Sequence, residues 1–159
     1  MDSDRTSIFH ARHGRSCIDK LGAGEDGTVW RTAEHTAVKF LDRLDRYERE
    51  VEVYRVLEQR QITQIAGHNV PQMIRSDDDV RAIEMTIVTR PFILDFAGAK
   101  LPHGIPDFGD DIMAEHYEHL RDLFGDRWAD ALHAAEMFRL ATGYTLRDIH
   151  PGNIAFQDE

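Results

Sequence analysis

Three groups of residues in this 159-residue chain have the chemical character and the intervals that phosphate handling needs. The first is Gly22-Ala23-Gly24-Glu25-Asp26-Gly27-Thr28-Val29, a G-x-G-x-x-G-x-V pattern. Glycines let backbone N–H groups lie over an anion with no Cβ in the way. Glycine triplets also open the helix of dinucleotide-binding folds, or simply make a turn. Here the third glycine leads into Thr28-Val29-Trp30, β-branched and aromatic, which predicts a strand and therefore a glycine hairpin. The second group is Lys39 with Glu50. Lys39 sits in the apolar run Thr36-Ala37-Val38-Lys39-Phe40-Leu41, where a lysine either snorkels to water or serves as a positioned point charge. Glu50 shares a helical stripe with Tyr47, Tyr54 and Leu57, and a carboxylate on an apolar stripe needs a partner; Lys39 is the obvious one. The third group is Asp148-Ile149-His150-Pro151-Gly152-Asn153, a Pro-Gly loop running into apolar Ile154-Ala155-Phe156. Singly, Asp148 and Asn153 are ordinary turn residues. Together they fit a phosphoryl-transfer loop, in which an Asp accepts a hydroxyl proton and an Asn amide oxygen ligates Mg²⁺.

The strands and helices carrying these residues are read from periodicity. Ile18–Leu21, Thr28–Arg31 and Thr36–Leu41 predict strands joined through the glycines. A helical period runs from about Arg43 to Gln61, with Val53 and Val56 beside the stripe, and Pro71 bars its continuation. Arg81 to Arg90 alternates as a strand. Gly98, Pro102, Gly104, Pro106 and Gly109 mark 94–109 as a loop. Two helices are expected next. The first spans about Asp111–Phe124, with Met113, Tyr117, Leu120 and Phe124 on one stripe. The second spans about Arg127–Thr142, with Trp128, Leu132, Ala135 and Phe138 inward and Gly143 as its stop. The expected class is α+β in two lobes hinged near residue 98: an N-terminal extension over 1–17, a sheet-and-helix lobe over 18–93, and a partial helical lobe over 94–159.

Composition narrows the partners. Hydrophobic residues make up 42% and charged residues 30%, enough to close a core. Nineteen Lys and Arg against 29 Asp and Glu give a net charge of −10, which argues against a dedicated nucleic-acid binder but leaves room for an anion in a local basic pocket. The single cysteine, Cys17, excludes an internal disulfide and a Cys-based zinc site. No apolar run approaches the roughly 20 residues of a membrane span and no secretory h-region is visible, so a cytoplasmic protein without membrane contact is expected.

In this order and spacing the three groups resemble the protein-kinase-like fold, from about Ile18 to the end of the chain. The resemblance implies ATP and Mg²⁺ as cofactors. It implies that Gly22, Gly24, Gly27 and Val29 cover the phosphates, that Ala37 and Lys39 lie in the nucleotide site, and that Lys39 holds the α- and β-phosphates while Glu50 holds Lys39. Asp148 would be the catalytic base, Asn153 a Mg²⁺ ligand, and Ile87–Phe92 the hinge against adenine. Leu146 replaces the His of the usual His-Arg-Asp triplet, and Asp-x-His-Pro-Gly-Asn is closer to the aminoglycoside-kinase-like, choline-kinase-like and UbiB-like branches. The acceptor is left open between protein and small molecule.

The largest departure is that the family places its Asp-Phe-Gly metal ligand one strand after the Asn, where this sequence stops at Glu159. A stand-in role for Asp158 or Glu159 needs a sharp chain reversal, and Asp107-Phe108-Gly109, on the wrong side of the loop, reads as a coincidence of composition. With Asn153 as the single evident metal ligand, three readings are open: a phosphotransferase with weak or absent turnover, a pseudokinase or scaffold acting through a partner, or a fragment of a longer kinase. Helix Arg127–Thr142, with Trp128, Leu132 and Phe138 short of covering helices, predicts a homodimer or protein partner. His116 and His119 lack a third metal ligand, Cys17 reads as a small apolar residue, and Asp77-Asp78-Asp79 as a turn.

Overall fold

The glycine-rich segment forms the edge hairpin of a five-stranded antiparallel sheet in the computed structural model, which describes residues 2–101, 110–147 and 149–157. β1 (Cys17–Gly24) and β2 (Gly27–Thr32) pair with Gly24 opposite Gly27, leaving Glu25 and Asp26 as the turn. Gly27 is required by the fold: its φ is +149°, and a Cβ there would lie 1.9 Å from the Phe40 carbonyl oxygen. β3 (Thr36–Leu41), β7 (Ala82–Thr86) and β6 (Met73–Asp77) complete the order β1-β2-β3-β7-β6.

β3 is buried on both faces, which explains its nearly continuous apolar run. Its two-residue alternation sorts the side chains. Val38 and Phe40 face one side and Ala37, Lys39 and Leu41 the other. The first side is covered by α1 (Asp2–His13), a helix that the polar N-terminus did not announce. Its single buried apolar anchor, Phe9, meets Phe40 edge-on at 5.9 Å. The other attachments are polar: Arg5 donates to the carbonyls of Val80 and Leu41 at 2.6 Å, and Arg12 and His13 pair with Asp77 at 2.9 and 2.8 Å. The second side is covered by α2 (Leu44–Gln59), which buries Tyr47, Glu50, Val51, Val53, Tyr54 and Leu57.

The remainder is a small sheet and two helices. β4 (Gln64–Ile65), β5 (His68–Asn69), β8 (Phe92–Ile93) and β9 (Ile154–Ala155) form a sheet in that order, with β8 antiparallel to β9. α3 (Asp110–Phe124) and α4 (Trp128–Thr142) come after β8, joined by the 3₁₀ turn Gly125–Arg127; Gly143, at φ +81°, ends α4 by donating to the Arg139 carbonyl. The buried face of α4 is Trp128, Ala131, Ala134 and Phe138, rotated from the expected one, so that Leu132 is 37% exposed. On α3, Leu120 and Phe124 are buried and Tyr117 is exposed. Trp128 and Phe138, expected to lie uncovered, are therefore core residues. The fold is α+β, as the sequence predicted: an antiparallel sheet, here of five strands, followed by a mainly helical lobe, with α1 packed on the sheet in addition to the one expected helix. No described helix is long and apolar enough to cross a membrane.

The two lobes share one core. Phe96 stacks on Phe138 of α4 and meets Tyr54 of α2 edge-on, both at 5.2 Å between ring centres. This aromatic column fixes the segment after β8 between α2 and α4.

Candidate functional site

Lys39 projects from β3 onto the α2 face of the sheet, as the strand alternation requires, and meets Glu50 with Nζ 2.8 Å from Oε2. Glu50 is 1% exposed. It is held by its place on the apolar stripe of α2 and by a hydrogen bond from the backbone N–H of Phe96.

A second carboxylate completes the cluster. Asp95 Oδ1 lies 2.9 Å from the same ammonium. Asp95 comes after β8 at φ +69°, a left-handed conformation that costs energy for a residue with a Cβ and marks a position fixed by its surroundings. Here Phe96 is locked in the aromatic column on one side, and the β8–β9 pairing holds the other. Leu94 N–H donates to the Asn153 carbonyl at 2.8 Å, so the pairing sets Asp95 next to the loop that carries Asn153. That loop is wound around His150: the N–H groups of Asn153 and Ile154 donate to its carbonyl, and Gly152 N–H donates to its Nδ1 at 2.9 Å.

One cation and two carboxylates leave this buried cluster with a net charge of −1. Burial alone would depress the Lys39 ammonium, but Glu50 and then Asp95 outweigh it and keep the lysine charged. Glu50 is pushed up, first by burial and then by the Asp95 charge, against the opposing pull of Lys39. Burial also pushes Asp95 upward, but Lys39 and the Ala97 backbone N–H outweigh it and hold the carboxyl below its ordinary value. The surplus negative charge is of the kind that a divalent cation neutralises.

The cluster forms the floor of a cleft of ≈ 470 Å³. The hairpin glycines Gly22, Gly24 and Gly27 and Val29 line one wall, and Asp95, His150 and Asn153 the opposite one. Ala37, Met85, Thr86, Ile87 and Val88 supply an apolar back, so the first residues of the expected hinge do face the cleft. Gly22 and Gly24 have no positive φ, and nothing lies within 4 Å of where a Cβ would stand. The fold does not require glycine there, and the hairpin backbone at both positions is open. A glycine hairpin on one wall, an apolar back, and Asp95 and Asn153 on the opposite wall leave room for a phosphorylated ligand. The carboxylates of Glu25, Asp26, Glu50 and Asp95 and the amide of Asn153 are oxygen donors lining the cleft, and Asp95 and Asn153 share its wall opposite the hairpin.

The structure thus brings together Gly22, Gly24, Gly27, Val29, Ala37, Lys39, Glu50 and Asn153. Asp148 lies outside the described residues, as do Asp107-Phe108-Gly109, Asp158 and Glu159. Leu146 is buried in the core. Among the described residues no group of three or more His, Cys, Asp and Glu is arranged for a metal, and His116 and His119 do not form one. The Cys17 thiol is pushed up to about 11 by burial, which makes it a poor nucleophile.

Asp95 is the residue that sequence reasoning missed. The glycines and prolines of 94–109 masked it as loop, yet Phe92-Ile93-Leu94-Asp95-Phe96 places one carboxylate within an apolar run, the same signal that singled out Glu50. Asp95 reaches the cleft from the end of β8, the strand antiparallel to β9, ahead of the loop in chain order.

No protein-family model matches the chain, and no curated protein sequence matches it. Among solved structures, three similar ones are aminoglycoside phosphotransferases. The streptomycin–ATP–APH(2'')-IIa ternary complex is 21% identical at a TM-score of 0.43, over 56% of this chain and 30% of that one. ADP-bound APH(2'')-Ib is 19% identical at 0.43, over 79% and 40%. The gentamicin–APH(2'')-IIa complex is 14% identical at 0.48, over 83% and 54%. The chain spans about a third to a half of the length of these structures.

Proposed function

We propose that the chain binds ATP with Mg²⁺ in this cleft and transfers a phosphoryl group to a hydroxyl acceptor. The observation that supports this most strongly is the Lys39–Glu50–Asp95 cluster, one ammonium between two carboxylates, lying under a glycine hairpin and beside Asn153. In this reading the N–H groups around Gly22, Gly24 and Gly27 lie over the phosphates, and the apolar back near Ile87 and Val88 takes the base. Lys39 offers a point charge to the α- and β-phosphates, and Glu50 is a positioning residue that keeps Lys39 aimed. Asp95 and Asn153 hold the metal ion, which when bound neutralises charge on the β- and γ-oxygens. Asp148 accepts the acceptor hydroxyl proton. In this reading Asp95 stands in for the acidic metal ligand whose lack after Asn153 led to the expectation of weak or absent turnover.

The test is incubation with labelled ATP and Mg²⁺, following ATP consumption and transfer to the protein or to added hydroxyl compounds. Label transfer that disappears in Asp148→Asn is expected. Nucleotide binding without any transfer would instead favour a nucleotide-holding pseudokinase, and no nucleotide binding would leave a scaffold with a kinase-like shape.

A further inference from the structure

A second cavity, of ≈ 250 Å³, lies between the start of α2 and the segment 97–101 that follows Asp95. Its lining includes Arg43, Arg46 and Arg49, one turn apart along the first half of α2, and Lys100 from the opposite segment 97–101. In a chain of net charge −10 this concentrates four cations on one small space.

Their internal pairing is incomplete. Asp45 also lines the cavity and takes the fork of Arg43 at 2.7 Å, an exposed pair at its outer rim. Asp26, in the glycine turn, reaches Arg46 Nε at 3.6 Å, and Glu52 reaches Arg49 at 3.5 Å, both beyond good hydrogen-bond distance. Arg46 Nε and Arg49 Nη1, the nitrogens of these two long ion pairs, are buried without a well-formed hydrogen bond, and the Arg49 guanidinium lies over the Tyr144 ring at 5.4 Å. Lys100 has no carboxylate partner among the described residues. The N-terminus of α2 faces the same space, and Arg43 at its cap position makes no side-chain capping hydrogen bond. Gly98 gives the arginines room: a Cβ there would come within 3.1 Å of Arg46 Nη1 and 3.3 Å of Arg147 Cβ.

We propose that this cavity is a binding site for a phosphate-type dianion, either inorganic phosphate or the phosphate group of a monoester. Guanidinium forks match phosphate oxygens with paired N–H donors, and the positive end of the α2 dipole adds to them, although the Arg46 backbone N–H is taken by Asp45. The anion joins two elements that also build the cleft. Arg49 is adjacent to Glu50 on α2, and Gly98 and Lys100 come shortly after Asp95, so an anion held by both sides fastens together the two carboxylates that contact Lys39. The site itself stands whether or not the cleft binds nucleotide, and its test uses none.

Thermal melting is compared in inorganic phosphate, in glycerol phosphate and in chloride at equal ionic strength, for wild type, Arg43→Gln/Arg49→Gln and Lys100→Gln. Phosphate is expected to raise the melting temperature of wild type above the chloride value. Affinity should fall by about tenfold for each guanidinium removed, and measurably in Lys100→Gln, which alters only the 97–101 side and guards against misfolding of the double variant. A stronger response to glycerol phosphate assigns the site to a phosphorylated ligand, and a stronger response to inorganic phosphate assigns it to the free ion. No phosphate-specific shift in wild type, or equal shifts in wild type and both variants, would overturn the proposal.

Discussion

Lys39 Nζ and Asp95 Oδ1 stand 2.9 Å apart although 56 residues separate them, and Asp95 comes before, not after, the loop that carries Asn153. The contact rests on three local causes: the alternation of β3, the β8–β9 pairing and the aromatic column through Phe96. Each can be perturbed separately.

Removing Lys39 strands two buried carboxylates. Lys39→Met is expected to lose roughly 3–5 kcal/mol of stability at neutral pH. Part of that loss should return on acidification toward pH 4.5, because Glu50 in the folded variant takes up a proton before the unfolded chain does. In wild type the signs divide. Glu50, raised in the folded state, makes mild acidification stabilising down to its ordinary value of 4.5. Asp95, lowered in the folded state, contributes stability present above its ordinary value of 3.8 and lost as the pH falls through its lower folded value. Urea titrations of both proteins across this range read the difference.

The glycines of the hairpin should separate fold from ligand. Gly27→Ala must move the Phe40 carbonyl and adopt an unfavourable φ, so a cost of about 1–3 kcal/mol or more is expected. Gly22→Ala and Gly24→Ala should melt like wild type yet lose nucleotide-induced stabilisation. Melting curves with and without Mg-ATP check both halves.

Much of the site was legible because charged residues in apolar patterns are expensive and therefore informative. Lys39 within Val38 and Phe40, and Glu50 on the stripe of Tyr54 and Leu57, pointed at each other from sequence, and the hairpin was readable from the β-branched residues after Gly27. Asp95 was hidden because β8 has two residues, too short to show alternation, and because glycines and prolines dominate residues 98–109. α1 was hidden because its attachment is mostly polar, through Arg5, Arg12 and His13, with Phe9 as its single buried apolar residue. The α4 face was misplaced because Ala131 and Ala134 bury as well as Leu132 would, and the close approach of Phe138 to Phe96 favours the small side chains.

The aromatic column should be a large contributor to stability. Phe96 and Phe138 are both fully buried, and Phe138→Ala is expected to cost about 3–5 kcal/mol. Because Phe96 also fixes Asp95, Phe96→Leu should weaken Mg²⁺-dependent nucleotide binding more than its effect on melting temperature would suggest. Parallel denaturation and binding measurements on the two variants test that separation.

Nucleotide affinity and turnover should divide between Lys39 and Asp148. At a hundredfold excess over its dissociation constant, Mg-ATP stabilises a binding protein by about 2.7 kcal/mol, a shift of roughly 5–11 °C for a chain of this length. That shift is expected in wild type and in Asp148→Ala and is expected to vanish in Lys39→Met, whereas turnover should fall by roughly 10²–10⁴ in Asp148→Asn.

The most direct measurement is calorimetric titration of ATP into wild type and Asp95→Asn, each with and without Mg²⁺. Glu50 still neutralises Lys39 in the variant, so the fold and the metal-free affinity are expected to survive. Mg²⁺ should strengthen ATP binding in wild type and have little effect in Asp95→Asn. An equal Mg²⁺ effect in both proteins, or no ATP binding in wild type, would contradict the assignment of Asp95 and of the cleft.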